Sequence, residues 1–418
     1  MTTYTTGQLW DVVVIGGGPA GMMAASTAAA RNKSVLLLEK NPSLGKKLLI
    51  TGGGRCNVTN NKTDIRQMLA QYGEAGKFLF SAFVQHSVTD TITWFKDRGV
   101  PFIEENEGRL FPTTQTAQSI QSALAAELKK TGVTVRTRAI VKSVFKPTGE
   151  ETFTTVLASG ESIFSRTCIM ATGGVSRPET GSTGEGFDWL SVLGHHIVPN
   201  KYALVPLLSR DSWIAALSGV TLPNVKITLY ADEKKQSVHS GKLLFTHVGL
   251  SGPTILNLSK TVGDLLSHSA VTLKVNLLPE LDAGALKTTL TTLFRTESNK
   301  QVKNALAELV PAALVMPIIL LAGTHPETPC HSVRATDRTK IAQLIAALPI
   351  HISGLQGADK AVVSGGGVSP TEINFKTMES RVVPGLYLVG DTLDINRPSG
   401  GYSLQLCWTT AIVAGSHV

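Results

Sequence analysis

The sequence predicts an α/β fold whose sheet is assembled from the two ends of the chain around an inserted β-rich stretch. Three features carry this. Leu9 to Lys40 reads LWDVVVIGGGPAGMMAASTAAARNKSVLLLEK: an apolar run, a glycine turn, a small-residue helix, a second apolar run and an acid. Pro384 to Val418 repeats the strand, glycine and helix texture at the far end. Between them, from Lys201 to Val275, short strands alternate with Pro and Gly turns, the pattern of an inserted β-structure.

Val12 to Ile15 is β-branched and uncharged, as in a parallel strand buried on both faces. Gly16, Gly18 and Gly21 then form G-x-G-x-x-G. The first glycine permits the tight turn, the second lets a pyrophosphate approach the backbone, and the third lets the helix pack closely on the sheet. Ala20 to Ala30 is rich in Ala and Met and forms that helix. Its N-terminus presents bare N–H groups and a partial positive charge to a phosphate. Ser34 to Leu38 is the second strand. Glu39 lies 23 residues after Gly16, where a βαβ unit places the acid that binds an adenosine ribose. Lys40 follows it. An acid here, not an arginine, argues against a 2′-phosphate, so the ligand is FAD or NAD.

Asn41 to Asn60 reads NPSLGKKLLITGGGRCNVTN. Gly52, Gly53 and Gly54 offer a second close approach for a ligand. Lys46, Lys47 and Arg55 supply positive charge near the expected pyrophosphate. Thr51, Asn57, Thr59 and Asn60 supply polar groups, and Cys56 lies among them. Lys77 to Gly99 reads as helical, as does Thr114 to Lys130 with Ser119, Ala123 and Leu124 inward. Val133 to Phe145 reads as strands at the adenosine side, with Val141 opening the second. Phe153 to Leu157 and Ser162 to Phe164 suggest a hairpin closed by Gly160. Thr167 to Met170 reads as a further buried strand. Ala171, Thr172, Gly173 and Gly174 follow it, and glycines after a strand in a doubly wound sheet belong to the ligand edge.

Beyond the β-rich stretch, Leu286 to Ala322 and Lys340 to Leu348 read as helical, with Pro311 and Pro317 breaking the first. Strand texture returns at Ile350. Leu386 to Val389 is a buried strand, Gly390 turns, and Asp391 stands at its carboxyl end, placed to hold ribityl hydroxyls. Gly400 and Gly401 open a helix from Tyr402 to Ala414, with Ser403 in its first turn. Its N-terminus suits the flavin pyrimidine edge, where negative charge collects on reduction. An NAD dehydrogenase has no need of this second half, which decides for FAD over NAD, and with no His or Cys standing where a flavin tether is expected the FAD is non-covalent. Gly365-Gly366-Gly367 follows a short strand, Ala361 to Val363, but no acid stands at the right distance and Pro370 interrupts any helix. No second nucleotide domain is expected, so NADH or NADPH acts as a transient reductant.

Composition sets the frame. The chain has 418 residues, 42% hydrophobic and 17% charged, with net charge +8 and pI about 9.2. This fits a soluble globular protein of two or three domains, mildly basic and compatible with a polyanionic partner. The most apolar stretch, Leu309 to Gly323, holds two prolines and is too short to span a bilayer. The N-terminus lacks a secretory pattern. Cys56, Cys168, Cys330 and Cys407 form no C-x-x-C and no metal-ligand spacing appears, which points to a reducing cytoplasm and no metal.

Several stretches together resemble the YhiN/BaiN-like flavoproteins, within the two-dinucleotide-binding-domain group. They are GGGPAG (16–21), GKKLLITGGGRCNVTN (45–60), GRLFP (108–112), ATGGVSRPETGSTGEG (171–186), LLFTHVGLSGP (243–253), KNAL (303–306) and SGGGVSPTEINFKTMESRVVPGLYLVGD (364–391). The resemblance covers essentially the whole chain. It implies a discontinuous Rossmann-like FAD-binding domain at 1–195 and 345–418, with an insert at 196–344 made of a small β-barrel and then helices. The chain departs from the family pattern at three places: Asp391 stands for Glu, Arg397 for a glycine with Ser403 for Asn, and Arg177 for Tyr.

The resemblance further implies an FAD-dependent oxidoreductase passing hydride through flavin N5. Its substrates would be amino ketones or steroid-type enones, or a uridine of ribosomal RNA, with a non-catalytic FAD-binding role as the remaining alternative. His247, in the FTHVGLSGP loop, is the candidate general acid or substrate clamp, with a histidine that only holds the loop by hydrogen bonds as the alternative. Tyr402 and Cys56 are further catalytic candidates, whereas the adjacent His195 and His196 read as structural.

Overall fold

The computed structural model describes residues 8–146, 149–199, 204–357 and 365–418. The chain divides into two compact units, Met1–Ala203 with Ala358–Val418, and Leu204–Gly357.

The first unit is organised on a seven-stranded sheet. Its path runs Thr134–Arg136, Val35–Leu38, Leu9–Ile15, Ser162–Met170, Phe153–Leu157 and Val141–Phe145, with Leu386–Leu388 also pairing to Ser162–Met170. The central strands are parallel and in register at their carboxyl ends: Ile15 pairs with Leu38 and with Met170, and Met170 with Leu388. Val12 to Ile15 and Val35 to Leu38 are all buried, which explains their unbroken apolar runs. The helix Pro19–Ala29 and the closing helix Tyr402–His417 are buried over most of their lengths. Small residues permit their close approach, since a Cβ on Gly415 would lie 2.7 Å from the Ala24 carbonyl.

Several elements differ from expectation. The hairpin arm at Ser162 and the strand at Thr167 are one nine-residue strand. Its polar middle, Ser165 to Thr167, is accommodated because that stretch pairs on both sides. Lys77 to Gly99 splits into Gly76–Gln85 and Val88–Lys96. Ser87 starts the second helix with a capping box closed by Asp90, a local bond that overrides the continuous apolar pattern. Phe80 and Val84 are exposed. The helix expected from Thr114 begins at Ala117, with Thr116 as its cap, and buries Ile120 in place of Ser119. The closing helix runs on to His417. The expected strand Ala361 to Val363 lies outside the described residues, while Gly367–Val368 pairs antiparallel with Ile197–Val198.

The second unit is a closed six-stranded barrel with helices. Barrel order is Leu207–Ser209, Gly249–Ser251, Lys234–Thr246, Thr221–Ala231, Val271–Asn276 and Leu348–Leu355. The last strand pairs with both Val271–Asn276 and Leu207–Ser209, so the barrel is closed only by residues beyond 345. The domain return expected at 345 therefore falls inside this unit. The β-rich stretch also contains a helix that strand texture concealed, Pro253–Leu266. It begins at Gly252 (φ 96°) with proline in its first turn and buries Ile255, Leu258, Ser259 and Val262, as an amphipathic helix does. Pro317 does not end its helix: Ala312–Ala322 continues through it, with Leu314, Val315, Ile318 and Ile319 packed in the core. Burial of these side chains outweighs the lost backbone bond. No helix among the described residues is long and apolar enough to cross a membrane.

Candidate functional site

Because the parallel strands end level, the residues that follow them meet along one edge of the first unit. These are Gly16, Glu39, Ala171 and, after Val389, Gly390. Gly16 has φ 109°, and a Cβ there would lie 2.4 Å from the Ala171 carbonyl. Gly21 packs more tightly still: a Cβ on it would fall 1.8 Å from the Gly16 carbonyl oxygen. Gly18 differs: a Cβ would meet nothing within 4 Å, so its missing side chain leaves open space at the start of Pro19–Ala29. No side chain caps that helix, and its first N–H groups, with Ala20 in the first turn, face that space as a phosphate cradle.

Glu39 is buried beside it. One carboxylate oxygen accepts from Gly17 N at 2.8 Å, and the other from Asn41 N and Nδ2 at 2.7 and 2.8 Å. A carboxylate has about four acceptor positions, so capacity remains for ribose hydroxyls. The Glu39 carbonyl accepts from Ala139 N at 2.9 Å, which brings the chain leading to Val141 against this corner. Thr172, two residues past the strand end, has a buried hydroxyl with no partner among the described residues, and Gly173 beside it has φ 72°. An open glycine, a partly used acid and an orphan hydroxyl on one edge fit an FAD.

The cations of the second glycine stretch take different roles. Lys47 Nζ donates to Ser176 Oγ at 2.9 Å and Ser182 Oγ at 3.3 Å, and lies 3.7 Å from Asp391. Lys46 donates to the Glu179 carbonyl and Lys40 pairs with Glu185 at 2.9 Å. Arg55 is turned to Glu105 at 2.6 Å and stacks on Phe111, so its charge is satisfied by the small sheet Phe102–Pro112 supplies. Thr51 bonds its own turn through Leu48 O. Gly53 has φ 69° and open space around it.

The stretch after Arg55 has a use that its spacing did not disclose: it seats the closing helix. The Asn57 amide, oriented to satisfy its neighbours, accepts from Gly401 N and donates to Thr59 O, both at 3.0 Å. Thr59 Oγ1 donates to Gln405 at 2.6 Å, and Trp408 Nε1 to Val58 O at 2.9 Å. Gly401 has φ 99°, and a Cβ there would sit 2.3 Å from Thr59. Gly400 (φ 120°) precedes it. Cys56 is fully buried at φ 63°, and burial pushes its thiol up to about 12. It is therefore a neutral thiol at physiological pH, without the low pKa of a reactive cysteine. Tyr402 is buried, its hydroxyl likewise pushed up to about 12 by burial, and its carbonyl accepts from Tyr72 OH at 2.8 Å. His195 bonds Glu372 at 2.7 Å and Ser380 at 2.9 Å.

Asp391 and two of the positions that depart from the family pattern are one cluster. The fully buried Arg397 side chain donates to Asp391, to Ser403 Oγ at 3.1 Å and to the Ile395 carbonyl at 2.6 Å. Burial raises the Asp391 pKa, but Arg397 and Lys47 outweigh it and hold the carboxyl below its ordinary value. Sequence reading placed Asp391 on ribityl hydroxyls and did not see that Arg397 takes one of its oxygens. The only available signal was that the residues depart together from the family pattern.

In the second unit, His247 is exposed on the turn between Lys234–Thr246 and Gly249–Ser251. It lines an open cleft of about 380 Å³ with Arg210, Asp211, Ser212 and Ser353. Asp211 is committed to the barrel wall, accepting from His351 N at 2.6 Å and from its Nδ1 at 2.9 Å. Arg210 and His247 carry no side-chain bond among the described residues. Thr246, beside His247, has a buried hydroxyl without a partner.

Comparison with known proteins follows the same outline. The HI0933-like protein Rossmann domain matches residues 10–417. The chain is 32% identical to the ribosomal RNA dihydrouridine synthase of Escherichia coli, over 97% of this chain and 96% of that protein. It is 28% identical to the 3-dehydro-bile acid delta(4,6)-reductase of Clostridium scindens, over 91% of each. In fold it is similar to the 3-ketosteroid delta1-dehydrogenase of Sterolibacterium denitrificans, with TM-score 0.56 and 12% identity over 99% of both chains.

Proposed function

We propose that this chain, which belongs to the HI0933-like family of FAD-dependent oxidoreductases, reduces a uridine of ribosomal RNA to dihydrouridine at the expense of NADH or NADPH. The observation that carries the reading is end-to-end likeness to a ribosomal RNA dihydrouridine synthase, 32% over 97% of the chain. Bound FAD supplies the carrier through which hydride passes from the nicotinamide to the substrate.

The chain's own residues hold and polarise. Gly18 and the N-terminus of Pro19–Ala29 take the pyrophosphate, and Glu39 takes the adenosine ribose. Lys47, Thr172 and the Asp391–Arg397 pair would hold the ribityl chain, and the N-terminus of Tyr402–His417, which no side chain caps, would favour negative charge at the pyrimidine edge. The uracil C5=C6 bond is conjugated to C4=O, so hydride adds at C6 and a proton at C5. We assign that proton transfer to His247 as a general acid. Since the sequence is not expected to hold a second nucleotide domain, NADH or NADPH would dock transiently, with a KM near a millimolar, the upper end of the usual range.

A steroid-type enone presents the same polarised alkene, and the likeness to the bile-acid reductase supports it as a second reading. The test gives both substrates to one preparation. Purified holoprotein, NADPH and ribosomal RNA lacking dihydrouridine should yield a nuclease fragment that has gained two hydrogens by mass spectrometry. No gain on RNA, with rapid NADPH oxidation by a 3-keto-4-ene steroid, would transfer the assignment to the second reading.

A further inference from the structure

The barrel wall carries a basic track outside the cofactor edge. Strand register places Tyr230 beside Lys235 on one side and Thr272 on the other, and Thr272 beside His351. With strands about 4.8 Å apart, this row of four crosses roughly 14 Å of wall. Residues two apart on a strand share a face, so Lys226 and Thr228 point outward with Tyr230. Thr228 lies beside Lys274, and Lys226 beside Ser240. The inward set confirms the alternation: Val225, Ile227, Leu229 and Ala231 are buried, while Lys226, Lys235 and Lys242 are exposed.

The charges on this face do not cancel. Lys274 sits 4.3 Å over the Tyr230 ring and 3.4 Å from Glu233. The other acid of the hairpin, Asp232, is turned back on Ala270 N at 2.9 Å. Lys226, Lys235 and Lys242 have no ion pair among the described residues. At its far end the row reaches His351, whose Nδ1 bonds Asp211 in the wall of the cleft that Arg210 and His247 line. Lys235 beside the Tyr230 ring, with Lys226 and Lys242 further along the same strands and no ion pair to any of them among the described residues, makes a basic wall that also reaches the cleft of Arg210, and such a wall suits a phosphodiester backbone.

We propose that the outer wall of the barrel, through Lys226, Lys235, Lys242 and Tyr230, docks the phosphate backbone of the substrate RNA and leads it to the cleft of Arg210 and His247. This rests on the ribosomal RNA reading of the function, and the experiment separates the two. Binding of holoprotein to a fluorescent single-stranded ribosomal RNA fragment is measured across a salt series, and dihydrouridine is scored in parallel.

Lys226→Ala/Lys235→Ala/Lys242→Ala should lose three phosphate contacts. The slope of log K against log salt becomes shallower by about 2, and affinity falls about a hundredfold at roughly 0.1 M salt. The triple Arg variant should keep the wild-type slope. FAD content and melting temperature should not change, because none of the three side chains has an ion pair to lose. Unchanged affinity and slope in the Ala variant would overturn the proposal, as would binding to phosphatidylserine vesicles with none to RNA. Wild-type protein that forms no dihydrouridine, with the Ala variant still showing the predicted loss of slope relative to it, would instead overturn the functional reading and leave the docking wall standing.

Discussion

On the two readings proposed above, the cofactor edge of the first unit and the barrel wall of the second would meet a ligand by opposite means. At the edge, backbone does the work: Gly16, Gly18 and Gly21 set the turn, four strand ends stand level, and Glu39 and Arg397 are buried and hydrogen-bonded. At the wall, side chains would do it: Lys226, Lys235, Arg210 and His247 are exposed, with no ion pair among the described residues. A buried, backbone-built site tolerates little change and suits a ligand that stays. An exposed one made of long side chains tolerates substitution and suits a ligand that leaves.

The sharpest break of this contrast lies within the glycine motif itself. Gly16→Val should yield little folded protein, because its Cβ collides with Ala171 and φ 109° is unfavourable for a branched residue. Gly18→Val should fold, since its Cβ meets no protein atom, yet be recovered without flavin. Expression yield, circular dichroism and the absorbance ratio of flavin to protein separate the two. A Gly18→Val protein with full flavin would remove the cradle from that position.

Arg397 comes next. Arg397→Ala leaves Asp391 buried without its main partner and should cost about 3–5 kcal/mol by denaturant unfolding. Restoring the family pattern, Arg397→Gly with Asp391→Glu and Ser403→Asn, should recover much of that loss. The pH dependence has a definite sign. The folded Asp391 carboxyl titrates below its ordinary 3.8, so its stabilisation is present above that value and disappears as pH falls through the folded pKa. In Arg397→Ala the acid limb of the stability curve should move to higher pH.

His247→Gln tests the wall side. If it donates the proton, reoxidation by the true substrate slows by roughly 10²–10⁴-fold, while melting temperature and reduction by NADPH hold, as befits an exposed residue. Equal slowing of every acceptor, with a lower melting temperature, would make it a loop holder. The smallest effect belongs to Cys56. With its thiol buried and raised to about 12, it should resist iodoacetamide at mildly alkaline pH in the native state, and Cys56→Ala should leave turnover nearly unchanged. Rapid native labelling would reopen a thiol mechanism.

Sequence alone determined what depends on near neighbours. A strand, three glycines, a small-residue helix and an acid specify the phosphate turn, because glycine's φ freedom and helix periodicity are local properties. Gly390 and the Gly400–Gly401 helix start were legible for the same reason. Tertiary structure decided whatever joins residues distant in sequence. Arg55 is turned to Glu105, Lys47 bridges Ser176 and Asp391, and Asn57 seats Gly401, none of which composition or spacing encodes. Barrel closure by Leu348–Leu355 belongs here too, since one buried apolar strand has no local mark of its partner. Pairing is chosen by which surfaces meet when the core is buried, and that choice is made by the whole chain at once.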